Sequence, residues 1–202
     1  MATKYILSID QSTSASKVML FDRQANLVDR VSRAHEQYYP QPGFVEHDAE
    51  EIYRNVTACI QEILQKHRLV RENLHCLSIT NQRETALIWD SKSGKPIARA
   101  AVWQCQRGAA TCERLKKDGV EPVIRAKTGL LADSYFSASK LQWIMEHTAG
   151  AAERSRKGDL LLGTMDSWLV WKLTGGMHVT DYSNACRTLL FNIHTLTWDG
   201  DL

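Results

Sequence analysis

Three short stretches bring together side chains that do chemistry. The first is Asp10-Gln11-Ser12-Thr13-Ser14-Ala15-Ser16-Lys17, where an acid closes an apolar run and a turn dense in hydroxyls follows. A tight turn of small residues aims successive backbone N–H groups at one place, where an anion sits well. Asp10 offers carboxylate oxygen to a hard cation such as Mg²⁺ or to its water. Lys17 offers a point charge to a phosphate. An ordinary hairpin whose hydroxyls satisfy their own turn accounts for the same residues. The second stretch is Asn81-Gln82-Arg83-Glu84, four large polar side chains directly after an apolar segment that ends at Thr80. The carboxyl end of a strand is where α/β folds bind ligands. There Arg83 supplies a fork of donors and Glu84 two acceptors, a pair suited to adjacent hydroxyls. A solvated turn with a local ion pair is the plainer account. The third set is aromatic: Trp103, then Tyr135 and Phe136, rings that either line the C–H face of a polyol or fill a core. Asp133, Asp166 and Asp181 are further acids, each better suited to capping or a turn.

Composition narrows the classes. The chain has 202 residues, 44% hydrophobic and 24% charged, with 25 basic and 23 acidic side chains mixed along it. That mixture is globular and gives no electrostatic case for nucleic acid or a membrane surface. No apolar run approaches the ~20 residues of a membrane span, and MATKYILSIDQ reaches an acid too early for a secretory signal. The five cysteines are odd in number and contain no CxxC pair, so reduced thiols in the cytoplasm are expected. The seven histidines contain no HxxxH pair, and no metal–histidine site is expected.

Elements must position these residues. Residues 5–10, 17–22 and 27–35 read as three strands joined by QSTSAS and by a turn after Asp22, a β-meander. Tyr39-Pro40-Gln41-Pro42-Gly43 interrupts it. Asp48, with Glu51 three residues on, starts a helix whose inner face is Ile52, Val56, Cys59, Ile60, Ile63 and Leu64. Residues 74–80 and 85–89 read as strands, with a hairpin turn at Ser93-Gly94. Residues 107–117 and 137–147 read as helices and 160–163 as a short strand. Asp166 is expected to cap a helix carrying Trp168, Leu169, Trp171 and Leu173, stopped at Gly175-Gly176. A meander followed by alternating helix and strand predicts an α/β, ribonuclease-H-like domain: a mixed sheet of three antiparallel strands plus βα units.

As a set these strings resemble the amino-terminal half of the FGGY carbohydrate kinases, and among them the glycerol kinases most. The matching strings are IDQSTSAS, YPQPGFVEHD, SITNQRET, GKPI with AVWQCQR, TGL with YFSASKLQWI, LLGTMDSWLVWKLTGG and HVTDYSNACRTLLFNIHTLTWD. NQRET and AVWQCQR favour glycerol kinases over pentulose and hexulose kinases. The resemblance implies an actin-like ATPase fold that transfers the γ-phosphoryl group of MgATP to a primary hydroxyl of glycerol. It implies that Asp10 orients Mg²⁺ through water, and that Thr13, Ser14 and Ala15 form the phosphate-facing turn with Lys17 beside it. Arg83, Glu84 and Tyr135 would bond the glycerol hydroxyls and Trp103 would line its carbon chain, the four converging on one small cavity. Phosphoryl transfer is mostly positioning and charge stabilisation, and these groups are of that kind.

The sequence also departs from the family. The usual turn reads DQGTTSSR, whereas Ser12 here replaces glycine, Ser14 a threonine and Lys17 an arginine. A serine lacks glycine's freedom at positive φ, so a strained or altered turn is expected, and lysine lacks arginine's bidentate fork. The catalytic aspartate of the family, in a GDQ-like motif, has no counterpart in these 202 residues. Nor have its second phosphate motif and adenosine pocket. The chain is therefore read as one amino-terminal domain, 1–202, that folds, holds polyol weakly and does not turn over without a carboxy-terminal half. A kinase for another polyol or a ketose, and a non-catalytic polyol-binding module, are the alternatives. A homo-oligomer is compatible with all three.

Overall fold

A computed structural model describes residues 4–202. Its strands and helices run in the order β1 (Tyr5–Gln11), β2 (Ala15–Phe21), β3 (Leu27–Ala34), β4 (Glu46–His47), α1 (Ala49–Lys66), β5 (Leu74–Asn81), β6 (Ala86–Asp90) and β7 (Ala100–Ala101). They continue with α2 (Ala109–Lys117), α3 (Glu121–Thr128), α4 (Ser137–His147), α5 (Ala151–Arg156), β8 (Leu160–Thr164), α6 (Met165–Thr174), α7 (Tyr182–Ala185), β9 (Phe191–Asn192) and β10 (Thr197–Trp198). The chain forms two compact units. The first takes the described residues through Gln37 and Asp48–Gln82, and the second takes Tyr38–His47 and Arg83–Leu202.

The first unit is a four-stranded sheet in the order β3-β2-β1-β5. β1, β2 and β3 pair antiparallel and β5 adds parallel to β1. This is the mixed, ribonuclease-H-like arrangement that the sequence predicts. Strand alternation puts Leu7 and Ile9 of β1 and Val18 and Leu20 of β2 on the inner face. Helix α1 covers that face with Ile52, Val56, Cys59 and Ile63, while Ile60 and Leu64 are half-buried at its border. Asp48 caps α1 as expected, its Oδ1 accepting from the amides of Glu50 at 2.9 Å and Glu51 at 3.2 Å.

The second unit holds a wholly antiparallel sheet, β4-β7-β6-β8. Among the described residues, parallel pairing is thus confined to β1 and β5. Four residues after β5, β6 joins a different sheet and turns back through the Ser93-Gly94 hairpin. β6 is its buried centre: Ala86, Leu87, Ile88 and Trp89 are all closed to solvent. α4 packs on it with Leu141 and Ile144, joined by Ala151 and Leu160. Trp89 meets Trp168 of α6 edge-on at 5.4 Å. A second cluster gathers Ile124, Ala132, Phe136 and Leu189.

Several elements differ from expectation. α3 was not foreseen, although Pro122 in its first turn and the left-handed Gly129 after it are ordinary start and stop signals. α2 begins at Ala109 rather than residue 107, because Gly108 is its cap. Asp166 is not the cap of α6. Thr164 holds that position, and Asp166 lies buried in the first turn. Among the described residues, no helix is long and apolar enough to cross a membrane.

Candidate functional site

The hydroxyl-rich turn belongs to the first unit. Asp10 and Lys17 face each other across the β1–β2 ladder, and Lys17 Nζ lies 3.1 Å from Asp10 Oδ2. Both side chains keep about a third of their surface in water, 39% for Lys17 and 30% for Asp10. The turn closes on Ser12, whose amide and Oγ both donate to the Ala15 carbonyl at 2.9 Å. Ser12 is not at positive φ. The expected strain of serine in place of glycine is therefore absent, and its hydroxyl adds a bond that glycine lacks. Gln37 Nε2 donates to the Thr13 carbonyl at 2.9 Å, and the His35 amide donates to the Ser14 carbonyl at 3.3 Å. Beneath the turn, buried Gln11 accepts from the Gln82 amide at 2.7 Å and from Gln82 Nε2 at 3.1 Å. Thr13 and Ala15 are partly exposed and Ser14 is exposed, so the turn lies at the surface.

The donor set around Asp10 bears on the implied Mg²⁺. Among the described residues, no group of three or more His, Cys, Asp or Glu could enclose a metal ion. One carboxylate suits Mg²⁺, which keeps several waters and takes its remaining ligands from phosphate oxygens. Asp10 therefore fits a Mg²⁺–nucleotide complex and does not fit a metal held by protein alone.

The second cluster lies wholly in the second unit. Glu84 has φ +64, a left-handed conformation unusual outside glycine. Its carbonyl accepts from Ser137 Oγ at 3.0 Å, and its carboxylate Oε1 accepts from Arg187 Nε at 2.6 Å. Glu84 is only 3% exposed. Burial opposes the Arg187 charge, but the Glu84 carboxylate outweighs it and holds the guanidinium above its ordinary pKa. The same guanidinium lies 4.9 Å from the Phe136 ring centre and 5.8 Å from that of Tyr135. Tyr135 in turn sits 5.5 Å from Trp103. The Trp103 amide donates to Thr85 Oγ1 at 3.2 Å, tying that ring to the residue after Glu84.

Glu84, Trp103 and Tyr135 thus form one contact cluster, joined through Thr85 and Arg187. Arg83, next to it in sequence, has an exposed side chain that takes no part in these contacts. A cavity of about 310 Å³ in the same unit is lined by Leu141, Leu162, Thr164, Ser167, Thr180 and Trp198 among others. None of the four expected polyol residues lines it. Asp133 Oδ1 accepts from the Tyr135 amide at 2.8 Å, and Asp181 Oδ1 caps α7 through the Asn184 amide at 2.8 Å. Asp166 accepts from the hydroxyls of Thr164 and Thr180, and burial pushes its carboxyl up.

Two residues of this cluster were missed. Arg187 stands inside the quoted string HVTDYSNACRTLL, yet no local pattern sets it apart from other surface cations. Lys140 reads as an ordinary helix lysine, yet it is wholly buried and burial pulls it down to about 7.

Residues 5–202 match the amino-terminal domain of the FGGY family of carbohydrate kinases. Glycerol kinase 1 of Thermotoga maritima is 51% identical over 199 residues, 98% of this chain and 40% of that protein. Glycerol kinase of Stenotrophomonas maltophilia is 53% identical over 203 residues, 100% of this chain and 41% of that protein. The crystal structure of Plasmodium falciparum glycerol kinase with ADP superposes with TM-score 0.92 at 35% identity, covering 99% of this chain and 40% of that one. Gluconate kinase from Lactobacillus acidophilus, at 24% identity and TM-score 0.88, shares the fold over 99% of this chain and 39% of its own. The chain spans about two fifths of the length of these relatives. It belongs to the FGGY family of carbohydrate kinases, matching that family's amino-terminal domain.

Proposed function

We propose that this chain carries the polyol-binding and phosphate-proximal residues of an ATP-dependent kinase that phosphorylates glycerol at a primary hydroxyl. The observation that carries this reading is the Glu84 carboxylate. Arg187 donates to its Oε1, which leaves Oε2 to accept from a hydroxyl, and the same guanidinium lies near the Tyr135 ring, which in turn neighbours Trp103. A buried, oriented carboxylate discriminates strongly for a hydroxyl donor, because an unfilled acceptor out of water is costly. The phenol of the exposed Tyr135 and the exposed Arg83 fork supply the complementary donors, and the Trp103 ring covers the carbon chain. Glycerol kinases at about half identity over the whole chain support the choice of polyol.

At the other end of the reaction, Asp10 would hold Mg²⁺ through water, with Thr13, Ser14, Ala15 and Lys17 around the phosphates. Bound there with the nucleotide, the metal would neutralise phosphate charge. Lys17 brings charge without a bidentate fork, and the turn from Ser12 to Ala15 brings a fixed main chain. The group that accepts the substrate proton is placed outside these 202 residues, so the chain alone is expected to bind and not to turn over. Free thiols at all five cysteines suit a reducing, cytoplasmic setting.

Calorimetric titration of the full-length protein with glycerol tests the reading. Arg83→Ala and Glu84→Ala should each lose about 1.5–3 kcal/mol of binding, the worth of a charged hydrogen bond. Unchanged affinity in both variants refutes these roles. Preference for a ketose over glycerol in a substrate panel moves the protein to another branch of the family. A full-length protein that binds glycerol without phosphorylating it is a polyol-binding module.

A further inference from the structure

Lys140 breaks two rules at once. It is a cation with no surface in contact with solvent, and it stands in the N-terminal part of α4, where the helix dipole disfavours positive charge. Its partners are carbonyls rather than a carboxylate. An ammonium has three N–H donors, and three consecutive carbonyls take them: Ser134 at 2.9 Å, Tyr135 at 2.6 Å and Phe136 at 2.8 Å. Local rules are broken in this way where a site needs the result.

We propose that Lys140 is a positioning residue of the polyol site: its ammonium clamps the main chain of residues 134–136 and so fixes the Tyr135 ring beside Trp103 and the Glu84–Arg187 pair. The proposal rests on the reading of Tyr135 as a polyol ligand. Three carbonyls converging on one Nζ fix the peptide planes on both sides of Tyr135, and Asp133 Oδ1 holds the Tyr135 amide from the other direction. Little freedom remains except rotation of the ring itself, and Tyr135 as a residue stays 36% exposed. Glu84, Cys105, Cys112 and Asp133 are the titratable groups that act on Lys140, and each favours its charged form against the burial that opposes it. The full set of bonds needs the ammonium, because a neutral amine brings two N–H groups to three carbonyls.

A double-variant cycle in the full-length protein, read by calorimetric titration with glycerol, tests the clamp. Lys140→Met keeps the stem and removes the donors. It should raise the glycerol Kd about tenfold, equivalent to roughly 1.4 kcal/mol. Added to Tyr135→Ala, which has no ring to position, it should change the Kd no further. Equal weakening in both backgrounds, or no weakening in the wild type, overturns the proposal. A general loss of stability would act alike in both backgrounds and so does not imitate the expected result. Should Lys140→Met fail to fold, Lys140→Gln, with two N–H donors, enters the same cycle under the same criteria. If the wild type binds no glycerol, the polyol reading has failed and amide hydrogen exchange decides the clamp. Lys140→Met, or Lys140→Gln in its place, must then speed exchange at Tyr135 and Phe136 about tenfold while Ile88 in β6 is unchanged, and equal rates overturn it.

Discussion

The turn after Asp10 and the cluster around Glu84 both fix polar side chains in place, by opposite means. The turn is local. Two facing strand ends supply the Asp10–Lys17 pair, and Ser12 closes the loop on a residue three positions away. Its charges stay partly in water. The Glu84 cluster is assembled from residues 84, 85, 103, 135 and 187, and its charged pair joins partners 103 positions apart. Its acid lies out of water. A local site tolerates substitution because solvent stands in for a lost partner. A buried one does not, because nothing replaces the missing charge.

That contrast is broken or sharpened by substitution. The largest effect is expected from Arg187→Leu, which leaves the Glu84 carboxylate buried without its cation. A loss of roughly 3 kcal/mol in unfolding free energy is expected, read by denaturant titration. Lys17→Met, which removes the cation of the half-exposed pair, should cost below about 1 kcal/mol in the same assay. Equal costs would erase the distinction.

A smaller effect concerns pH in the first unit. Burial holds His35 below its ordinary value despite the nearby Glu51 charge. The unfolded chain therefore binds the His35 proton at a higher pH than the folded one does. The stability that neutral His35 supports is complete above about pH 6.5, the ordinary value for an unfolded histidine. It is lost as pH falls through the lowered folded value. Melting temperatures of the wild type and His35→Gln should converge on acidification over this window, and parallel curves would show that His35 carries no such linkage.

The smallest effect is at Ser12. Restoring the family's glycine removes the Oγ bond to Ala15 and relieves no positive φ. Ser12→Gly should therefore lower stability by about 0.5–1 kcal/mol, and a gain would mean that serine strains the turn after all.

Much of the first unit was legible in advance. The three-stranded meander, the Asp48 cap and the buried stripe of α1 are written in periods of two and 3.6 and in capping offsets of two or three residues. Such signals sit within one turn or strand, so a linear reading finds them. In the second unit β6, α4, β8 and α6 were legible in the same way, but not the contacts that join them. Asp166 shows why: an acid before an apolar helical run reads as a cap, but position alone does not reveal that Thr180, fourteen residues later, bonds its other oxygen.

The amino-acid order by itself determined most of the longer strands and helices, the site-residue candidates and the family they resemble, because each rests on short-range pattern. Only the tertiary structure decided that Arg187 grips Glu84, that Lys140 lies buried beneath Tyr135, and that Arg83 stays in solvent. Burial and charge pairing depend on which distant segments exclude water together, and neighbouring residues in the chain carry no record of that.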